Sequence, residues 1–99
     1  MILMLQHTVR DYDAWKAVFD EHEGARVKFG CLGHTTYRAA DKPGDVAVLL
    51  RWESRERAEE FLHDPSLAEA MRRGGVISEP QATWVDKTDN VTYATRQAA

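Results

Sequence analysis

Four histidines, at positions 7, 22, 34 and 63, a single cysteine, Cys31, and a set of large aromatic rings carry the chemistry available to this chain of 99 residues. His22 follows Trp15 by seven residues and Phe19 by three, which places it on the apolar stripe of a helix. An imidazole turned inward there would titrate near neutrality and serve as a general base. The competing reading puts it at the edge of the stripe, bonded to a backbone carbonyl. His34 and Tyr37 are three apart on a strand, hence on opposite faces, so only one of them can address a cavity on the helix side. Tyr37 is a candidate donor to a substrate oxygen or a tyrosine at the sheet rim; His34 is a second candidate base or an interface hydrogen bond.

The histidine positions lack the short-range spacing of metal-ligand pairs. Imidazoles on neighbouring strands can still converge on an ion, with His7 joining His34 or His22 as the arrangement to test, but the spacing predicts no metal. His63 precedes an Asp-Pro pair and is expected at an exposed helix end. Cys31, beside Gly30 and near Gly33, has no activating base in local sequence and reads as a packed, inert thiol. Trp15, Phe19, Trp52, Phe61 and Trp84 are candidate walls of a substrate pocket. Residues of these types equally make a core, and sequence does not separate the two roles.

These side chains need elements to hold them. Residues 1–9 alternate as a strand between two packed layers, with Leu3, Leu5, His7 and Val9 on one side. A helix capped by Asp11 or Asp13 carries Trp15, Val18, Phe19 and His22, and Gly24 either ends it or is carried through to about Lys28. Residues 30–40 and 46–53 form a hairpin, with Pro43-Gly44 as the expected turn and a positive φ at the glycine. Ser54 caps a second helix that turns Ala58, Phe61 and Leu62 inward, Asp64-Pro65 starts another, and Gly74-Gly75 stop it. A last strand spans residues 80–87. The polar tail, 88–99, has one weak β patch around Val91 and is a candidate extra strand on a partner.

The order βαββαβ predicts an α+β, ferredoxin-like layer, a four-stranded antiparallel sheet with both helical crossovers on one face, in one domain over residues 1–87. The other face would be bare and largely apolar, and a second copy covers it most economically, so a homodimer is expected. Hydrophobic residues make up 43% of the chain against 29% charged, a globular balance, and the net charge of -3 is spread without a basic block, which argues against nucleic acid as a partner. The apolar opening is too short and lacks the basic leader of a signal or membrane segment, and one cysteine allows no internal disulfide, so the cytoplasm is the expected compartment.

The runs Gly30-Cys31-Leu32-Gly33-His34, Asp41 to Val46, Val48 to Ser54, Glu60 to Leu67 and Ala70-Met71 resemble the antibiotic biosynthesis monooxygenase (ABM) family of dimeric α/β barrels. The resemblance covers roughly residues 1–87 and rests on packing and turn residues more than on catalytic ones. It implies a homodimer with sheets face to face and a ligand cavity between sheet and helices in each protomer. Its haem-degrading relatives carry a Trp at the position of Phe61 and the haem-ligating His at the position of Met71; this chain has neither, so no haem and no other cofactor is expected. The function implied is a cofactor-independent monooxygenase acting on a small aromatic or polyketide-like molecule. His22, His34 and Tyr37 would then be its base and donor, and the five aromatic residues its walls. A cyclase or isomerase of the same fold, and a non-catalytic dimer that binds a small molecule, remain the alternatives.

Overall fold

The computed structural model describes residues 1–95. The elements run β1 (Ile2–Thr8), α1 (Tyr12–Glu21), α2 (Glu23–Lys28), β2 (Cys31–Ala39), β3 (Lys42–Trp52), α3 (Arg55–Leu62), α4 (Pro65–Arg73) and β4 (Gln81–Val85). All three strand pairings are antiparallel and the sheet order is β2-β3-β1-β4, the ferredoxin-like arrangement.

Register decides which residues meet the helices. Leu3, Leu5 and His7 on β1 lie opposite Leu50, Val48 and Val46 on β3, and all six are buried under the helical layer. The alternate set, Ile2, Met4, Ala47, Leu49 and Val85, faces the open side and is only half-buried. Period-two alternation thus sorts each strand into a core face and a platform face.

The helix ends follow the capping chemistry read from sequence. The Asp11 carboxylate accepts from the Ala14 amide at 2.9 Å, Ser54 Oγ accepts from the Arg57 amide at 3.2 Å, and Asp64 accepts from the Ser66 amide at 3.1 Å with Pro65 at the first helical position. At the far end of α4, Gly75 takes φ +74°, the left-handed conformation of a helix stop. The first helix does break near Gly24: His22 closes α1 and at once opens α2, which runs on to Lys28.

The hairpin turn is not at Pro43-Gly44. Both residues lie inside β3, which begins four residues earlier than expected, and Ala40 and Asp41 make the turn between the paired Ala39 and Lys42. Gly44 has no positive φ. Its lack of a side chain serves a close approach instead: its carbonyl accepts from the Val9 amide at 2.7 Å, and a Cβ there would stand 2.8 Å from the Val9 carbonyl oxygen. Beyond β4, residues 86–95 are exposed and carry no regular structure, so the β patch at Val91 forms no strand within the protomer; the remainder of the tail lies outside the described residues.

Candidate active site between helices and sheet

The aromatic residues separate into core and cavity wall. Trp52 is 2% exposed and stacks on Phe61 with ring centroids 5.2 Å apart, filling the layer between β3 and α3. Trp84 is half-buried on the helix-facing side of β4, opposite Leu3, with the Arg55 guanidinium 5.2 Å from its ring centroid. Neither lines the cavity. Trp15, Phe19 and Phe61 do, around a void of about 40 Å³ bounded by α1, α2, α3, α4 and the inner faces of β1 and β3. That volume holds a few waters or the head of a ligand, and its partly exposed rim residues, Val18, Phe19, Leu67 and Met71, must give way to admit a ring.

Three polar side chains interrupt the apolar wall: His7, His22 and Arg26. His22 is set by the junction of α1 and α2, where its amide closes α1 on the carbonyls of Val18 and Phe19. Its Nε2 lies 2.9 Å from Ser66 Oγ, and the Ser66 hydroxyl in turn donates to the Asp64 carboxylate. Because the one hydroxyl proton is committed to Asp64, Ser66 can only accept from the imidazole. Nε2 therefore carries the proton and Nδ1 keeps its lone pair. Hydrogen bonds from Ser66 hold the Asp64 carboxyl below its ordinary range, so the acceptor at the end of this relay stays ionised. Burial, reinforced by the Arg26 charge, pushes the His22 pKa down despite the opposing pull of Asp64. A neutral, oriented imidazole at an apolar wall has the properties of a general base.

His7 comes from the inner face of β1, edge-on to Trp15 with ring centroids 5.7 Å apart. Neither of its ring nitrogens has a hydrogen-bond partner among the described residues, and burial lowers its pKa. Arg26 is 3% exposed; its guanidinium lies 3.8 Å from the Phe19 ring centroid, and one nitrogen, Nη1, donates to the Phe19 carbonyl at 2.8 Å, while Nη2 has no partner among the described residues.

The other sequence candidates lie elsewhere. His34 does face the helices, edge-on to Phe19 at 4.8 Å, so it is not an interface residue of the open face, but it stands behind the phenyl ring rather than at the cavity wall. Tyr37 is 54% exposed on the opposite side of the sheet, where it borders a broad open depression of about 610 Å³ with Gln6, Ala47 and Gln81. His22 and Tyr37 are thus separated by the sheet itself. His63 is exposed at the end of α3, its Nδ1 2.8 Å from the Glu59 carbonyl. Cys31 is half-buried and its thiol contacts the Gly33 carbonyl at 3.4 Å. Among the described residues no three His, Cys, Asp or Glu side chains are grouped to hold a metal, and no helix is long and apolar enough to cross a membrane.

Two participants escape a sequence reading centred on the histidines. Arg26 continues the helical stripe, four residues beyond His22 and seven beyond Phe19, so its inward position was present in the periodicity; a charged residue on such a stripe is normally read as solvent-facing. Ser66 is 44 residues from His22, and only the packing of α1 against α4 joins them.

No family model and no curated protein matches the sequence. Solved structures match its fold. SnoaB, a cofactor-independent oxygenase from Streptomyces nogalater, superposes with a TM-score of 0.70 at 18% identity, covering 88% of this chain and 93% of its own. A protein assigned by name to the antibiotic biosynthesis monooxygenases, from Bordetella bronchiseptica, gives 0.69 at 18% identity over 88% and 96% of the two chains. Rv0793 from Mycobacterium tuberculosis gives 0.65 at 20% identity over 92% and 97%. At these identities the likeness speaks to architecture and not to activity, and on that basis this chain has the fold of the antibiotic biosynthesis monooxygenases.

Proposed function

We propose that the protein is a cofactor-independent monooxygenase that oxidises a small electron-rich aromatic molecule in the cavity between helices and sheet. The observation that carries this reading is His22, held by Ser66 and Asp64 as a neutral imidazole at the wall of an apolar cavity. The fold shared with SnoaB supports it. In the reaction, the imidazole takes the proton of an aromatic hydroxyl or activated methylene. The resulting anion passes one electron to dioxygen, the superoxide and carbon radical combine to a peroxide anion, and this takes the proton back from the imidazolium to give a hydroperoxide. Loss of water then leaves a carbonyl, so that a CH2 group and O2 become C=O and H2O, with the substrate supplying every electron. The apolar wall keeps bulk water from the reactive anion.

A homodimer belongs to this reading. It is supported by the half-buried apolar residues on the open face and by the exposed extension after β4, where Val91 is 56% and Tyr93 85% exposed.

Oxygen consumption with anthrone or naphthol substrates tests the activity. Uptake by the wild type that is lost in His22→Ala supports it; product formed equally well without oxygen would point to a cyclase or isomerase. The second reading, a non-catalytic binding dimer, is favoured by one feature, the small volume left once Trp15, Phe19 and Phe61 are in place. It predicts ligand binding without turnover.

A further inference from the structure

Arg26 is a cation sealed into the protein, and no anion among the described residues meets it. It is 3% exposed, no carboxylate among the described residues lies within ion-pair distance of it, and one face of its guanidinium is taken by the Phe19 ring. Nη1 is satisfied by the Phe19 carbonyl; Nη2 has no partner among the described residues. A guanidinium remains charged at any physiological pH, and burying one without a counter-ion is a recurrent cost that a fold has no structural reason to carry. The cavity it helps to line also holds a second unsatisfied donor, the ring of His7, reached from β1 on the sheet side. Two orphaned polar groups from different elements thus border one void whose remaining wall is apolar.

We propose that Arg26 is the ligand's counter-ion: the cavity selects molecules that present an anionic oxygen on an aromatic ring, paired with Arg26 Nη2 and completed by a hydrogen bond from His7. This rests on the reading of the cavity as a substrate site and narrows its substrate class to oxyanion-bearing aromatics. Rings of the same size that carry no ionisable oxygen leave both donors unpaired and are rejected. The ionisable groups surrounding Arg26 are His22 at the junction of α1 and α2, His34 and Cys31 on β2, and Asp20 and Glu23 on the flanking helices; Asp20 and Glu23 favour its charged form without pairing with it.

The probe is 4-nitrophenol, whose anion absorbs in the visible while the neutral form does not. Titrated against the wild-type protein under nitrogen, its yellow band is expected to appear at lower pH than in buffer, and nitrobenzene, the uncharged analogue, to bind at least about tenfold more weakly. Arg26→Met should abolish the shift and weaken 4-nitrophenolate about tenfold or more while leaving the unfolding midpoint unchanged or higher, since it removes an unpaired buried charge. Arg26→Lys should keep part of the shift. Displacement of the probe by benzoate identifies a carboxylate as an accepted source of the oxygen, and failure to displace it restricts the site to aryl oxyanions. A band that appears at higher pH on binding, or nitrobenzene bound as tightly as the phenolate, overturns the proposal from the wild type alone, and so does an Arg26→Met protein that binds the anion normally. Because nothing is turned over, the outcome is separate from that of the oxygenase: an anion-selective protein that consumes no oxygen keeps this inference and removes the activity, and oxygen uptake with no anion preference does the reverse.

Discussion

His7 and His22 share a lowered pKa, yet they answer different questions when mutated. The unfolded chain titrates a histidine near 6.5, and burial puts the folded value of His7 below that. Between the two values the unfolded state holds more protons, so the stability contributed by neutral, buried His7 is complete above 6.5 and declines as pH falls through the window below it. His7→Leu, which leaves no unpartnered buried nitrogen, should raise neutral-pH stability by about 1 kcal/mol and flatten the acid side of a urea-unfolding profile. Loss of stability at neutral pH would show that the ring nitrogens are satisfied after all. His22→Ala should instead reduce kcat by about 100-fold or more with little change in KM, the loss of a base and not of binding. The roles of these residues were unequally legible. His22 was visible because helical period places it beside Phe19; its orientation was not, because Ser66 and Asp64 arrive from α4 through tertiary packing alone.

Elements give sharper tests through their glycines. Gly24 sits in α2 with ordinary helical backbone and nothing within 4 Å of where an added methyl would lie, whereas Gly44 would drive a methyl to 2.8 Å from the Val9 carbonyl. The same substitution therefore has opposite signs: Gly24→Ala should stabilise by about 1 kcal/mol and Gly44→Ala destabilise by about 1–3 kcal/mol in thermal or urea unfolding. Equal effects at the two sites would refute the packing described. Ser66→Ala should leave α4 capped, because Asp64 also accepts from the residue 66 amide, but release His22; kcat falls by less than the about 100-fold loss of His22→Ala while circular dichroism is unchanged. At this scale sequence reasoning read the caps at Ser54 and Asp64 directly and narrowed the first to Asp11 or Asp13, of which Asp11 caps, since each depends on a side chain and an amide two or three residues away. It misplaced the hairpin turn because Pro-Gly is a local turn signal, and the demand that set Gly44 came from Val9, 35 residues earlier in the chain.

For the whole molecule, the order of elements and the two-faced alternation of the central strands were enough to predict the four-stranded antiparallel sheet, because Leu3 and Leu5 on β1 and Val46, Val48 and Leu50 on β3 are apolar at period two, whereas β2 turns His34, Thr36 and Arg38 to the same side. The cavity was less legible: whether Trp52, Trp84 or Trp15 borders it depends on where each ring lies in the packed layer, which strand alternation does not specify. The open face makes a prediction of its own. Leu49→Arg, placed among Ile2, Met4 and Val85, should shift the protein from dimer to monomer in sedimentation equilibrium, and a wild type that sediments as a folded monomer at micromolar concentration would remove the paired-sheet assembly. Oxidation of an aromatic substrate by dioxygen, by way of His22, is the step on which the proposed function stands, and mass spectrometry of the product formed under isotopically heavy dioxygen reads it without intermediaries. One heavy oxygen atom is expected in the new carbonyl with the wild type, and almost no labelled product with His22→Ala; unlabelled oxidised product, or equal labelling by the variant, would contradict the mechanism.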